Sequence, residues 1–152
     1  MAPVATEALE RKLGFLKRYL TDLGGYLGCD EAARLRDHYS IERLLQLLCE
    51  AAADIALQFL KKTADTLPTS YREVFGQLAA KGGLPPALAQ ELIAACGMRN
   101  VLTHLYAEID LNRVIAAVEP AVQLYGDFLD WTLVQLAASR NARNENGTSN
   151  TR

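Results

Sequence analysis

The sequence has few of the features that mark disulfide-rich, secreted or membrane proteins. Its 152 residues include three cysteines, widely spaced and odd in number, which argues against a disulfide framework and against a cysteine-based zinc site. No run of about 18 apolar residues occurs, so we expect no membrane span. The N-terminus lacks a basic region followed by an apolar core, so no signal peptide is expected. Together these absences predict a reduced, cytoplasmic location.

The net charge of the chain is also small, and aromatic residues are few. The net charge is −2, so the chain lacks a strongly basic nucleic-acid-binding surface, and any such contact requires a local patch, such as one assembled across subunits. No glycine-rich phosphate loop is present. Half of the residues are hydrophobic, 22% are charged and alanine and leucine are abundant, which favours one globular helical domain over 1–138. The polar stretch from Ser139 onward predicts a disordered tail over 139–152.

Apolar residues recur at three- and four-residue spacing along most of the chain, and no strand pattern or repeat competes with them. The fold predicted is all-α, an antiparallel bundle of about five helices. The predicted helices span about 6–27, 30–67, 70–81 and 111–138, and a further helix, the fourth in chain order, begins at Pro86. Ser70 and Glu73 have the spacing of a capping box, Asp110 suits an N-cap, and Pro120 predicts a kink or break near Glu119.

The most informative segment is Arg-Asn-Val-Leu-Thr-His-Leu-Tyr, which begins at Arg99. On a regular helix its polar members fall in one arc of roughly 160°, with apolar residues opposite; they are Arg99, Asn100, Thr103, His104 and Tyr106. Arginine matches phosphate oxygens and histidine exchanges protons near neutral pH, so the pair suits RNA cleavage without a metal. The spacing alone favours a simpler interpretation, the solvated face of an amphipathic helix.

Other polar residues carry weaker signals. Glu50 and Asp54 lie one turn apart among apolar residues. This spacing fits an acid/base pair, but it fits better two carboxylates that have partners inside the bundle. Arg99 is one candidate partner for Asp54. No third metal ligand is evident, so no metal site is predicted. His38 is predicted to be a surface residue. Four basic residues of the first helix form either an RNA-facing patch or, as we favour, ordinary solubilising charge: Arg11, Lys12, Lys17 and Arg18.

The segment that begins at Arg99 closely resembles the R-x4-H-x-Y motif of HepT-like toxins, a branch of the HEPN superfamily of helical ribonucleases. The resemblance covers about residues 9 to 137. It includes three further segments, which are Glu50-Ala-Ala-Ala-Asp54-Ile55, Ser70-Tyr71-Arg72-Glu73-Val74-Phe75 and Ile109-Asp110. One departure is Thr103, where the family pattern has an apolar residue, usually valine; this alters the packing of the motif but removes no proposed functional group.

The resemblance implies a function for each polar member of the motif. The chain would be the toxin of a type VII toxin–antitoxin system, a metal-independent HEPN ribonuclease that needs no cofactor for cleavage. It would form a homodimer whose two motif helices line one cleft. Arg99 would stabilise the scissile phosphate, His104 would act as general acid/base and Asn100 would orient the pair, with Asp54 and Thr103 as supporting residues.

The same resemblance implies a partner, a minimal nucleotidyltransferase antitoxin of the MntA type. With ATP and Mg²⁺ this antitoxin would transfer AMP to Tyr106, placing bulk and negative charge beside Arg99. The two proteins would form a hetero-oligomer. Two alternatives stay open. In the first, the chain is a non-catalytic, nucleotide-binding helical subunit of a nucleotidyltransferase complex, in which Arg99 and His104 hold a nucleotide or the partner. In the second, it is a purely structural dimerisation bundle.

Overall fold

The computed structural model describes the backbone of residues 3–61, 66–104 and 110–148, and within them the side chains of 7–61, 66–97 and 110–146. This part of the chain contains seven helices and no strand, which confirms the all-α fold. No described helix is long and apolar enough to cross a membrane. The helices are α1 (Pro3–Gly24), α2 (Glu31–Arg36), α3 (His38–Leu60), α4 (Tyr71–Gly82), α5 (Pro86–His104), α6 (Leu111–Ala116) and α7 (Val118–Thr148).

A break at Asp37 divides the long second helix that the sequence predicts. Asp30 caps α2, because its side chain accepts a hydrogen bond from the amide of Ala33. Asp37 leaves the helical conformation, with φ −100° and ψ 19°, and its carboxylate accepts a hydrogen bond of 3.2 Å from the hydroxyl of Tyr26. The following helix, α3, ends at Leu60 rather than near Pro68.

A second break, at Ala117, separates α6 from α7. The sequence predicts a break near Glu119, and the structure has it two residues earlier. Pro120 therefore lies in the first turn of α7, where a proline is tolerated because its missing amide would have no partner inside the helix. The two breaks, at Asp37 and Ala117, raise the number of helices from the predicted five to seven.

Helix α3 is the centre of the bundle and packs against α1, α2, α4, α5, α6 and α7. Four short side chains in the middle of α3 let neighbouring backbones approach closely; these are Ala51, Ala52, Ala53 and Ala56, all buried. Large side chains of α1, α4, α5 and α7 fill much of the remaining interior. Among them, Phe75 and Phe128 meet edge to face with ring centroids 6.2 Å apart.

Arg34 connects the helices at the start of the chain to the α6–α7 junction. It is only 9% exposed. Its guanidinium donates hydrogen bonds to the carbonyl oxygens of Tyr26 and Ile115, both at 3.1 Å, and to both carboxylate oxygens of Glu119. This hydrogen bonding lowers the pKa of Glu119 and raises that of Arg34. The buried arginine is therefore satisfied by a carboxylate and two backbone groups from other parts of the chain.

The predicted helix caps next to α4 and α6 are confirmed. The Ser70 hydroxyl accepts a hydrogen bond of 3.1 Å from the amide of Glu73, whose carboxylate accepts one of 3.0 Å from the amide of Thr69. The Asp110 side chain accepts a hydrogen bond from the amide two residues later, at the start of α6. Gly83 ends α4 with φ 80°, the left-handed conformation that favours glycine.

The C-terminal part of the chain differs from the prediction of a disordered tail. Helix α7 continues to Thr148, past the predicted boundary at Ser139. Four residues of this stretch are strong helix formers, namely Arg140, Ala142, Arg143 and Glu145. In addition, Arg140 forms an ion pair with Glu10, which ties the extension to α1. Residues 149–152 lie outside the described residues.

The expectation that the cysteines form no disulfide is wrong for one pair. Cys49 on α3 and Cys96 on α5 are fully buried and joined, with their Cα atoms 5.7 Å apart. They are 47 residues apart in the sequence and become neighbours only because α5 packs against α3. Cys29 is a free thiol.

Candidate functional site

The motif from Arg99 to His104 occupies the C-terminal turns of α5. The helix runs from Pro86 to His104, so the backbone of Arg99, Asn100, Thr103 and His104 is helical, as the sequence predicts. The side chains of these residues, and the whole of Tyr106, lie outside the described residues. Their proposed roles stay predictions.

The helix that carries the motif is firmly packed on its upstream side. Ala89, Leu92 and Cys96 are buried where α5 meets α3, α4 and α7. The disulfide to Cys49 adds a covalent link to α3 three residues before Arg99. The backbone is therefore anchored immediately before the motif begins.

A cleft of about 620 Å³ lies between α3, the start of α4 and α5, and we call it the motif cleft. Its volume is typical of a site for a small molecule or a nucleotide. The cleft joins segments that the sequence singled out separately. Its lining includes Glu50 and Asp54 from α3, Tyr71 and Arg72 from α4, and Cys96 and Gly97 from α5. Gly97 is two residues before Arg99, so the cleft extends to the start of the motif.

Asp54, predicted as a supporting residue, has a partner on α1. Its carboxylate oxygen Oδ2 is 3.8 Å from Nζ of Lys12. The Asp54 side chain is 54% exposed, so this pair contributes at most about 1 kcal/mol to stability. The Arg99 side chain lies outside the described residues, and its predicted pairing with Asp54 stays a prediction.

A second cleft, of about 420 Å³, lies between α1 and α3, and we call it the α1 cleft. Glu50 and Asp54 line both clefts, so the two adjoin across α3. On the α1 side the lining includes Arg11, Lys12 and Phe15. Of the four basic residues of α1 that the sequence analysis grouped together, only Arg11 and Lys12 line this cleft.

Two aromatic residues of the α1 cleft were missed at the level of the sequence. Phe15 is 45% exposed, although phenylalanine is usually buried. Its ring stacks against that of Tyr19, with centroids 6.3 Å apart and an interplanar angle of 17°. The available signal was their spacing, because Arg11, Phe15 and Tyr19 follow one another at intervals of four residues on one helix face.

His38 is less exposed than the sequence predicts. It begins α3, is partly buried, and its Nδ1 atom is 3.3 Å from the Glu42 carboxylate. Its ring also lies against Tyr39. His38 lines neither cleft. Within the described residues, no three histidine, cysteine, aspartate or glutamate side chains are grouped closely enough to hold a metal ion.

The described part of the chain is an all-α bundle in which Arg99–His104 forms the C-terminal end of a helix that lines a nucleotide-sized cleft. The family model for HepT-like ribonucleases, described as "Ribonuclease HepT-like", matches residues 16–130. The chain therefore belongs to the HepT-like ribonuclease family, which confirms the resemblance found in the sequence.

Two relatives and one solved structure illustrate the match. The tRNA nuclease HepT of Aphanizomenon flos-aquae is 32% identical over 128 residues, covering 82% of this chain and 87% of the relative. The mRNA nuclease HepT of Shewanella oneidensis is 31% identical over 86 residues, 57% of this chain and 65% of the relative. The solved structure is a tri-AMPylated HEPN toxin of Shewanella oneidensis in complex with its MNT antitoxin. It has a TM-score of 0.70 and 25% identity, covering 86% of this chain and 96% of the toxin.

Proposed function

We propose that this chain is the toxin of a type VII toxin–antitoxin system and that it cleaves RNA with Arg99 and His104. The observation that supports the proposal is the position of Arg99 and His104 on α5, just beyond the end of the motif cleft at Gly97, in a member of a ribonuclease family. The two named relatives act on tRNA and on mRNA, which supports RNA as the substrate class and leaves the kind of RNA open. We place the activity in the cytoplasm, where such RNAs occur.

The proposed reaction uses the 2′-hydroxyl of the RNA as the nucleophile. A base takes the 2′-hydroxyl proton, the 2′-oxygen bonds to phosphorus, and the bond to the 5′-oxygen breaks as that oxygen receives a proton. The products are a 2′,3′-cyclic phosphate and a 5′-hydroxyl. Arg99 neutralises charge that develops on the phosphate, and Asn100 orients the pair. In a homodimer with two motif helices in one cleft, His104 of one copy takes the proton and His104 of the other copy supplies one.

The test is RNA cleavage by protein produced without its antitoxin. We expect the parent to cut total RNA or tRNA with EDTA present, and His104→Ala to be inactive. His38→Ala is the matched control, since His38 is the chain's other histidine and lines neither cleft. Its activity should match that of the parent. Cleavage of a strand with 2′-deoxy sugars, or activity that EDTA removes, would contradict the mechanism.

We further propose that an MntA-type nucleotidyltransferase neutralises the toxin by AMPylation of Tyr106. The tyrosine hydroxyl loses its proton, its oxygen bonds to the α-phosphorus of ATP, and pyrophosphate leaves; Mg²⁺ held by the antitoxin would assist by neutralising phosphate charge. Each adenylate then adds negative charge next to the arginine that would bind RNA phosphate. The AMPylated state of the similar Shewanella toxin, and its complex with an MNT antitoxin, support this regulation.

Intact mass spectrometry tests the modified residue. The parent incubated with antitoxin, ATP and Mg²⁺ should gain the mass of one or more adenylates and lose RNA cleavage, and Tyr106→Phe should gain none. Tyr39→Phe is the matched control, because Tyr39 is the most exposed described tyrosine, at 76%. If Tyr106→Phe is modified as readily as Tyr39→Phe, the proposed site is wrong.

One observation supports the alternative of a non-catalytic partner subunit. The net charge is −2, unlike that of most proteins that bind RNA by a broad basic surface. In that case Arg99 and His104 hold a nucleotide or the antitoxin. His104→Ala would then weaken the complex with the antitoxin, whereas the nuclease proposal expects the complex to persist and only cleavage to be lost.

A further inference from the structure

One exposed side of α1, at the edge of the α1 cleft, combines an exposed aromatic ring with positive charge. Phe15 is nearly half exposed and stacks on Tyr19. Arg11 lies one turn before Phe15 and Arg18 lies one turn after it, at positions i, i+4 and i+7 of one helix face. The two arginines are therefore about 10 Å apart along the helix axis, one on each side of the ring. We call Arg11, Phe15, Arg18 and Tyr19 the α1 platform.

The neighbouring charges leave the arginines of the platform available. Lys12 is engaged with Asp54, and Glu10 is engaged with Arg140 of α7. Among the described side chains, neither Arg11 nor Arg18 has an acidic partner. By helical spacing the two arginines lie on the outer side of Phe15. Arg11 lines the α1 cleft together with Glu50 and Asp54, whereas Arg18 lies outside the cleft lining.

We propose that the α1 platform binds an unpaired nucleotide of the RNA substrate. The inference rests on the proposed function and adds a recognition site to it. The base stacks on the exposed face of Phe15, and Arg11 and Arg18 contact the flanking phosphates. An aromatic ring between cations is the combination that single-strand-binding surfaces use, because every base has a face to stack and every nucleotide carries a phosphate.

The position of the platform fits a strand that continues from the motif. The α1 cleft and the motif cleft share Glu50 and Asp54, so a strand with its scissile phosphate near Arg99 reaches Phe15 by crossing α3. The negative charge of Asp54 at this crossing is offset by Lys12. The platform lies on the other side of α3 from the motif cleft, and it therefore contributes to binding and not to the chemical step.

The experiment measures binding of a fluorescein-labelled, single-stranded 12-nucleotide 2′-O-methyl RNA to the full-length protein by anisotropy. This probe lacks the 2′-hydroxyl nucleophile, so cleavage does not affect the result. We expect Phe15→Ala to weaken binding at least about fivefold and Phe15→Trp to restore it, because stacking needs only a flat ring. Arg18→Ala should weaken binding. It should also make the slope of log binding constant against log salt concentration shallower by about 0.7, the value for one phosphate contact to a single strand.

Lys17→Ala is the matched control. Lys17 is a basic, exposed residue next to Arg18, but it lies on the opposite side of α1 from Phe15. Its substitution should leave probe binding unchanged. In cleavage assays on RNA, Phe15→Ala should raise KM and keep kcat within about twofold of the parent, since only binding is affected.

Each result has a separate meaning for the two proposals. Parent protein that binds the probe through Phe15 but cleaves no RNA contradicts the nuclease and supports the platform. Parent protein that cleaves RNA, with Phe15→Ala and Lys17→Ala equal in binding and KM, overturns the platform and keeps the nuclease. A parent that does not bind the probe also overturns the platform. Two other results for Phe15→Ala would overturn the platform if its affinity for RNA is unchanged. One is a change in oligomeric state and the other is loss of the complex with the antitoxin, since either result marks this face as a protein interface.

Discussion

Replacement of Arg34 by alanine tests how the start of the chain is held to the α6–α7 junction. The guanidinium donates hydrogen bonds to the carbonyl oxygens of Tyr26 and Ile115 and to the Glu119 carboxylate. No other segment of the described chain links α2 to α7 in this way. The substitution removes all of these bonds at once and leaves the acceptors without that donor.

The expected loss of stability follows from the exposure of each acceptor. The Ile115 carbonyl is buried where it meets Arg34, and a buried polar group without a partner costs about 1 to 3 kcal/mol. Glu119 is 54% exposed, so water replaces much of the arginine and the ion pair contributes at most about 1 kcal/mol. Adding the lost packing of the arginine stem, we expect the free energy of unfolding to fall by about 3 kcal/mol.

The assay is chemical and thermal unfolding followed by circular dichroism. A loss of about 3 kcal/mol corresponds to a decrease in Tm of roughly 6 to 12 °C for a chain of this length. Arg36→Ala is the control, since Arg36 is an exposed arginine of the same helix. Equal losses of stability for the two substitutions, or a loss below about 1 kcal/mol for Arg34→Ala, would refute the reasoning.

Three further predictions concern pH, capping and the cysteines. Arg34 lowers the pKa of Glu119 below its ordinary value of 4.5, so the stability from this pair is complete above that pH and lost as the pH falls through the lowered pKa. Glu119→Gln should therefore flatten the acid side of the stability profile, and an unchanged profile would contradict this. Ser70→Ala should cost about 1 kcal/mol, read as a decrease in Tm of about 2 to 4 °C, through loss of the cap of α4. Thiol titration of the unfolded chain should find one thiol, Cys29, before reduction and three after it; three thiols without reduction would exclude the bond between Cys49 and Cys96.

Local features of the fold were predictable from the sequence because they depend on residues a few positions apart. The capping box at Ser70, the cap at Asp110 and the buried face of α4 all follow from such spacing. The break near Pro120 was also predictable, since a proline cannot occupy a helix interior without disrupting it. These rules need no knowledge of the tertiary structure.

Features that depend on distant neighbours were not predictable in the same way. The break at Asp37 involves a hydrogen bond from Tyr26, and the disulfide joins residues 47 positions apart. The exposed ring of Phe15 is a property of the cleft between α1 and α3. The four-residue spacing of Arg11, Phe15 and Tyr19 places them on one helix face but does not show that this face is exposed. The motif at Arg99 was found by its order of residue types, and the roles of its side chains stay predictions.

The alanines of α3 have a consequence for how this sequence can change during evolution. Ala51, Ala52, Ala53 and Ala56 lie where the central helix meets its neighbours, and all four are buried. Each added methylene there forces backbones apart, typically at a cost of about 1 to 3 kcal/mol, against a total stability of about 5 to 15 kcal/mol for a domain. Two such enlargements would use up much of that margin. Lineages that alter this bundle are therefore expected to shrink a facing side chain first, so that substitutions on α3 appear only in company with changes on the helices around it.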